Sequence, residues 1–141
     1  MLLHIVARGR IGRTPEAELV ARYAKRMTWP LTLTELPECG GKPPVFVGEP
    51  SRRVVLDERG SALSSAELAE QLRVWREEGT REARFLIGAA DGHGDNERHG
   101  ADLLLSFGPA TWPHLLVRAM LAEQLYRAVA ILAGHPYHRA G

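Results

Sequence analysis

Tyr137, His138 and Arg139 set a phenol, an imidazole and a guanidinium on three consecutive residues. An imidazole exchanges a proton near neutral pH. A guanidinium neutralises an anion or holds a phosphate. A phenol stacks on a flat ring or hydrogen-bonds to it. Upstream, Thr111-Trp112-Pro113-His114 introduces a long, nearly all-apolar stretch carrying Arg118, Glu123-Gln124 and Tyr126-Arg127, with Gly134-His135-Pro136 after it. A helix built only to fill a core has no need of His, Tyr, His and Arg at its exit. Composition alone still reads the terminal His and Arg as solvated surface.

Glycines follow three apolar runs: Gly60 after Leu56, Gly88 with Gly92 and Gly94 after Ile87, and Gly108 after Phe107. Glycine lets backbone approach a ligand closely, although a turn explains each one alone. Neither a Walker lysine loop nor G-x-G-x-x-G is present, which disfavours a nucleotide-phosphate cradle. Arg8, Arg10 and Arg13, interleaved with Gly9 and Gly12, form the one compact basic run. It reads equally as a solvated loop and as a phosphate contact. His114 suits a helix cap, a cofactor contact or solvent. His135-Pro136 positions a turn, and His4 reads as structural. His93 and His99 lack carboxylate or thiolate neighbours at metal-ligand spacing, so no metal is predicted.

The elements that must hold these groups follow from pattern. Leu2 to Ala7 reads as a buried strand. Thr14 caps a helix with Pro15 in its first turn, Glu16 and Glu18 at its positive end, and Lys25 and Arg26 at its negative end. Trp29-Pro30 stops it. Leu31 to Leu36 alternates as a strand with one covered face. Pro37 to Pro50 is a loop with room for short extended pieces. Val54 to Asp57 is a buried strand. Ser64 and Glu67 make a capping box, Leu68, Leu72 and Trp75 share the face of the helix that follows, and Gly79 ends it. Phe85 to Ile87 is a strand, Asn96 to Ala101 a short helix, and Leu103 to Phe107 a strand. The order β-α-β-β-α-β-(α)-β-α predicts an α/β fold, a mostly parallel sheet with helices on both faces. In such sheets ligands sit beyond the carboxyl ends of the strands, where the three glycine loops fall.

The 141 residues form one domain, 1–141, long enough to bury a core. Hydrophobic content of 45% with 25% charged residues argues against disorder. A net charge of +1 is too weak to announce nucleic-acid binding, without excluding a local basic patch. The single cysteine, Cys39, rules out an internal disulfide, fits a reducing compartment and reads as a loop thiol with no role. The first residues are too short and interrupted for a signal peptide. Leu115 to Ala133 is apolar, but Arg118, Glu123 and Arg127 lie inside it, and central charges cost about 2.5–3.5 kcal/mol each in a bilayer. The chain reads as cytoplasmic, with no membrane partner.

Thr111-x-Pro113-His114-x-x-x-Arg118, Glu123-Gln124-x-Tyr126-Arg127-Ala128 and His135-Pro136-Tyr137-His138 resemble the signature of the RlmH (YbeA-type) ribosomal large-subunit RNA methyltransferases of the SPOUT superfamily. The resemblance runs the length of the chain. It is strong from Phe85 to Arg139, fair at Leu2 to Gly9 and at Val54 to Asp57, and weak from Glu38 to Arg53. Members of that family methylate N3 of a pseudouridine in helix 69 of 23S rRNA, and their superfamily ties the C-terminal segment into a trefoil knot.

The resemblance implies a SPOUT-type fold with that knot and S-adenosylmethionine (SAM) as cofactor. Leu56, Gly88, Gly108, Pro109, Ala110, Thr111 and Trp112 match its cofactor contacts. Tyr137, His138 and Arg139 are the implied catalytic residues: His138 to accept a proton, Arg139 to neutralise an imide anion or hold a phosphate, Tyr137 to stack or hydrogen-bond. Arg8 and Arg10 are the implied RNA contacts. The implied partners are 23S rRNA, in the ribosome or large subunit, and a second copy of the chain. The family usually carries a second glycine where Ala89 stands, and Gly40-Gly41-Lys42 is shorter than its basic segment. A catalytically silent RNA- or ribosome-binding protein of the same fold, and a methyltransferase for another RNA position, are the alternatives.

Overall fold

A computed structural model describes residues 1–88 and 95–139. Ala89, Gly92, His93 and Gly94 lie outside the described residues. The order is β1 (Leu2–Arg8), α1 (Pro15–Arg26), β2 (Leu31–Leu36), β3 (Ser51–Ser61), α2 (Ser65–Glu77), β4 (Glu82–Ile87), α3 (Asp95–His99), β5 (Leu103–Leu105) and α4 (His114–Leu132). This is the succession expected from pattern.

The local signals act as read. Thr14 Oγ1 accepts the Ala17 amide at 3.1 Å and caps α1. Ser64 Oγ accepts the Glu67 amide at 3.1 Å, while Glu67 Oε1 accepts the Ser64 amide at 2.8 Å. β4 starts at Glu82, three residues before the expected Phe85, and the other differences lie in β3 and β5. β3 runs beyond Asp57 to Ser61, because Leu105 pairs with both Leu56 and Ser61 across an irregularity. Pattern ends the strand at Asp57 and leaves Glu58-Arg59-Gly60 to a loop; the edge of β5 draws them into the sheet. A Cβ at Gly60 would lie 2.5 Å from the Leu104 carbonyl oxygen, so only glycine fits that approach. β5 stops at Leu105, short of the expected Phe107.

The five strands are parallel in the order β2-β1-β4-β3-β5. The β1–α1–β2 and β3–α2–β4 crossovers step the same way along the sheet, so right-handed connections put α1 and α2 on one face. α4 packs against both. Leu3, Ile5, Val54, Phe85 and Leu105 face Leu68, Leu72 and Trp75 of α2 and Leu121, Leu125 and Val129 of α4 in the main core. Val20 of α1 packs on Ala119 and Ala122, so α4 is covered on a second side.

The β2–β3 and β4–β5 connections step the other way and cross the opposite face. There Pro43 from the long loop and Glu97 from α3 line a small cavity with Val6 and Leu86. Helices thus lie on both faces, three long ones against one short one. The centre of this second face is polar. His4 Nδ1 lies 2.9 Å from Glu82 Oε2 and its Nε2 lies 2.7 Å from Thr34 Oγ1, the structural use expected of it. Arg84 donates to Glu82 at 2.7 Å and to the Pro44 carbonyl at 2.6 Å, with its guanidinium 4.0 Å from the Phe46 ring centroid. Burial works to raise the Glu82 pKa, but hydrogen bonds from Arg84, the Val47 amide and His4 outweigh it and leave the carboxyl below its usual value. Among the described residues, no helix is long and apolar enough to cross a membrane.

Candidate active site at the carboxyl edge of the sheet

A cavity of about 810 Å³ opens where β3, β4 and β5 end. Leu56 to Arg59 form one wall, Ile87 and Gly88 another, and Leu105, Phe107 and Gly108 a third. Ala110 to His114 and Val117 close it from the loop and first turn of α4. Parallel strands direct their carboxyl ends to one edge, so loops distant in sequence meet there. Leu56, Gly88, Gly108, Ala110, Thr111 and Trp112 all line this one cavity. Pro109 does not; it is exposed in the loop between two lining residues.

Hydrogen bonds hold the walls. Thr111 Oγ1 donates to Glu58 Oε2 at 2.8 Å. The Ser106 hydroxyl accepts the Gly108 amide at 3.0 Å and reaches the Glu58 carbonyl at 3.1 Å. Trp112 Nε1 donates to the Phe107 carbonyl at 3.3 Å. Gly108 has φ +105°, backbone that favours glycine. Burial pushes the Asp57 pKa up, yet the Arg59 amide and the Arg98 guanidinium, 2.5 Å away, together hold it below the usual aspartate value. α4 presents its N-terminus here with no side-chain cap and no acidic residue in its first turn. Its first amides and its dipole suit a ligand's carboxylate. His114 lines the same space, and its Nδ1 is buried without a hydrogen-bond partner. Apolar walls beside a few convergent polar groups make a small-molecule site.

The terminal residues sit elsewhere on α4. Tyr137 packs edge-on against Tyr126, with ring centroids 4.7 Å apart, and lies beneath the Arg127 guanidinium. Its hydroxyl donates to Glu123 Oε1 at 3.4 Å. His135 Nδ1 accepts the Tyr137 amide at 3.1 Å and so shapes the turn. Arg127 donates from Nε to Glu123 at 2.6 Å, and its Nη1 lies 3.1 Å from His138 Nδ1. Arg139 is exposed. Glu123 stands nine residues past His114, about 14 Å along a helix axis. Neither Tyr137 nor His138 lines the cavity of its own chain.

Arg8 donates to the Pro37 and Gly40 carbonyls at 3.0 and 2.7 Å and lies 3.9 Å from Glu97, so its guanidinium already braces the long loop. Arg10 is exposed. Arg118 is buried, bonded to Glu35 at 2.5 Å and to the Gly9 carbonyl at 3.1 Å, and ties α4 to the end of β1. Between α1, the start of α2 and α4 lies a groove of about 640 Å³ whose lining includes Leu19, Tyr23, Leu63, Leu116 and Met120. It shares Leu105, Phe107 and Gly108 with the cavity.

Residues 45–138 match the family model described as "Predicted SPOUT methyltransferase". The chain belongs to the SPOUT methyltransferase family. Two curated relatives named "Ribosomal RNA large subunit methyltransferase H" align along their whole length and all of this chain. The one from Erythrobacter litoralis is 67% identical and the one from Novosphingobium aromaticivorans 63%. A solved structure, described as that of a probable methylase family protein from Haemophilus influenzae Rd KW20, shares the fold with a TM-score of 0.60 at 13% identity. The match covers 99% of this chain and 70% of that one.

Within this SPOUT methyltransferase, sequence reasoning missed Asp57, Glu58, Arg59 and Arg98 and left His114 undecided. The signal for the first three was present: a charged run directly after a buried strand, where the strand meets the ligand edge. Arg98 had none, because its contact with Asp57 spans 41 residues.

Proposed function

We propose that this protein transfers a methyl group from SAM to N3 of a pseudouridine in helix 69 of 23S rRNA, acting in the cytoplasm as a homodimer. The observation that carries the reading is full-length similarity, at 67% identity, to a relative named for methylation of large-subunit ribosomal RNA. The cavity supports the cofactor. Leu56, Gly88 and the 108–112 loop would hold it, with the unpartnered His114 Nδ1 and the uncapped start of α4 offering polar contacts. When bound, SAM supplies an electrophilic methyl group on a sulfonium.

The chain's own part is to hold the base in line with that methyl, exclude water and stabilise charge on the ring. Tyr137, His138 and Arg139 have the chemistry for the base, yet they lie a helix span from their own cavity. A second copy docked on the Leu116 and Met120 groove would bring its tail to the neighbouring cavity. Its exposed Arg10 would add positive charge that a chain of net charge +1 lacks.

Mass mapping of 23S rRNA from cells lacking the protein tests the substrate. A helix 69 pseudouridine without its methyl group is the expected result, and an unchanged map overturns it. Calorimetry with SAM should show micromolar or tighter binding; no binding would leave a silent RNA-binding protein. Light scattering should give twice the 15.6 kDa chain mass. A monomer that still methylates rRNA would sink the shared site.

A further inference from the structure

His138 Nδ1 lies 3.1 Å from Arg127 Nη1. A guanidinium carries donors only and stays charged, so Nδ1 must offer its lone pair. A neutral imidazole accepting at Nδ1 carries its proton on Nε2. Arg127 is itself held in place. Its Nε donates to Glu123 Oε1 at 2.6 Å, and its guanidinium sits 4.7 Å from the Tyr137 ring centroid. Among the described residues nothing hydrogen-bonds to His138 Nε2. The ring is therefore anchored on one side and offers an N–H on the other.

We infer that His138 serves the methyl transfer as a hydrogen-bond donor through Nε2–H, not as the base that removes the N3 proton, and that Arg127 is the positioning residue that fixes this tautomer. The catalytic part of the inference rests on the pseudouridine substrate proposed above. Loss of the N3 proton, which goes to water, leaves negative charge on the two carbonyl oxygens flanking N3. A fixed N–H aimed at such an oxygen stabilises that charge as it develops. Nor does Tyr137 supply the base. Burial first, then its hydrogen bond with Tyr23, pushes its phenol up to about 12, so it keeps its proton at neutral pH, while its hydroxyl is already engaged by Glu123. The tail thus offers His138 and Arg139 as donors and holds no base.

Long-range proton–nitrogen NMR spectra of labelled wild-type protein test the tautomer without any substrate. The Nε2–H pattern is expected for His138, and Arg127→Met should convert it to a mixture. A ring protonated on Nδ1, or a pattern indifferent to Arg127→Met, overturns the inference. Methylation assays test the role. His138→Ala should lose about 10²–10³ in kcat, the cost of one oxyanion donor. His138→Gln keeps an N–H near Nε2 but cannot titrate, and should stay within about tenfold of wild type, whereas a lost general base costs about 10²–10⁴.

Arg127→Met should lower kcat at unchanged KM for RNA. Added to His138→Gln it should cost nothing more, because an amide has no tautomer to fix. If His138→Gln is as inactive as His138→Ala, the donor role falls. A further loss in the double variant reduces Arg127 to a structural part. A wild-type protein that binds SAM but leaves rRNA unmethylated would sink the substrate reading and the catalytic use with it, while the spectra still decide the tautomer.

Discussion

The cavity and the terminal cluster sit at different stations along one helix and are built in opposite ways. The cavity gathers segments from three strand ends and leaves polar groups unpaired: His114 Nδ1 and the first amides of α4. The terminal cluster is built mostly from residues 4 to 14 positions apart, and its polar groups are largely paired. A site with unmet hydrogen-bonding capacity suits a ligand that arrives and leaves. A paired one suits side chains that must keep a fixed geometry against a substrate. Variants in the first region should move SAM affinity and methylation together. Variants in the second should move methylation alone.

A change in neither region should have the largest effect on stability. Glu82→Gln breaks the buried network with Arg84 and His4 on the far face of the sheet. Removing one partner of a buried pair costs about 3–5 kcal/mol. Denaturant unfolding should show that loss, with SAM affinity unchanged in the folded protein. Changed SAM affinity would mean the far face reports to the cavity and would blur the comparison.

Gly60→Val comes next. Its side chain would run into the Leu104 backbone, which belongs to β5 and cannot yield cheaply. Overpacking of this kind costs about 1–3 kcal/mol. Here it should also abolish the stabilisation expected from SAM in the wild type, about 2.7 kcal/mol at a hundredfold excess over Kd. Retained ligand stabilisation would show that the β3 irregularity does not shape the cavity. Thr111→Val removes one hydrogen bond to Glu58, worth about 1 kcal/mol. It should weaken SAM several-fold in calorimetry, whereas Tyr137→Phe should leave SAM binding alone.

The smallest effect separates the two regions by pH. The folded-state pKa of Asp57, in the cavity, lies below its ordinary 3.8. Its contribution to stability is present above that value and is lost as pH falls through the folded pKa. Tyr137, in the tail, has a folded pKa of about 12 against an ordinary 10.0. Its contribution is full below pH 10 and is lost as pH rises towards 12. Thermal unfolding across pH should show a shallower acid limb in Asp57→Asn and a shallower alkaline limb in Tyr137→Phe. A swap of the two limbs would refute the assignment.

Most of the architecture was legible because its signals are local. The Thr14 cap, the Ser64–Glu67 box and the alternation along β1 each depend on residues within a few positions, so their patterns survive without the fold. The cavity-lining residues were legible through resemblance, since the matching blocks hold contiguous residues such as Gly108 and Ala110 to Trp112. Three features were not. The extension of β3 past Asp57 depends on Leu105, and the burial of Arg118 depends on Glu35 and Gly9. The hold of Arg98 on Asp57 crosses the sheet edge. Each is a bond between segments whose separation gives no local periodicity.

By itself the sequence determined which segments are helices and strands, that the strands alternate with helices in a parallel sheet, and which residue types stand at the ends of α4. The tertiary structure decided where those types act. It placed Leu56, Gly88, Gly108 and Ala110 to Trp112 around one cavity and Tyr137 and His138 a helix span away. It also set His138 against a guanidinium. The physical reason is that an imidazole's protonated nitrogen is chosen by whatever faces the other one. That neighbour is supplied only when the chain turns back at His135-Pro136 and lays its end on α4.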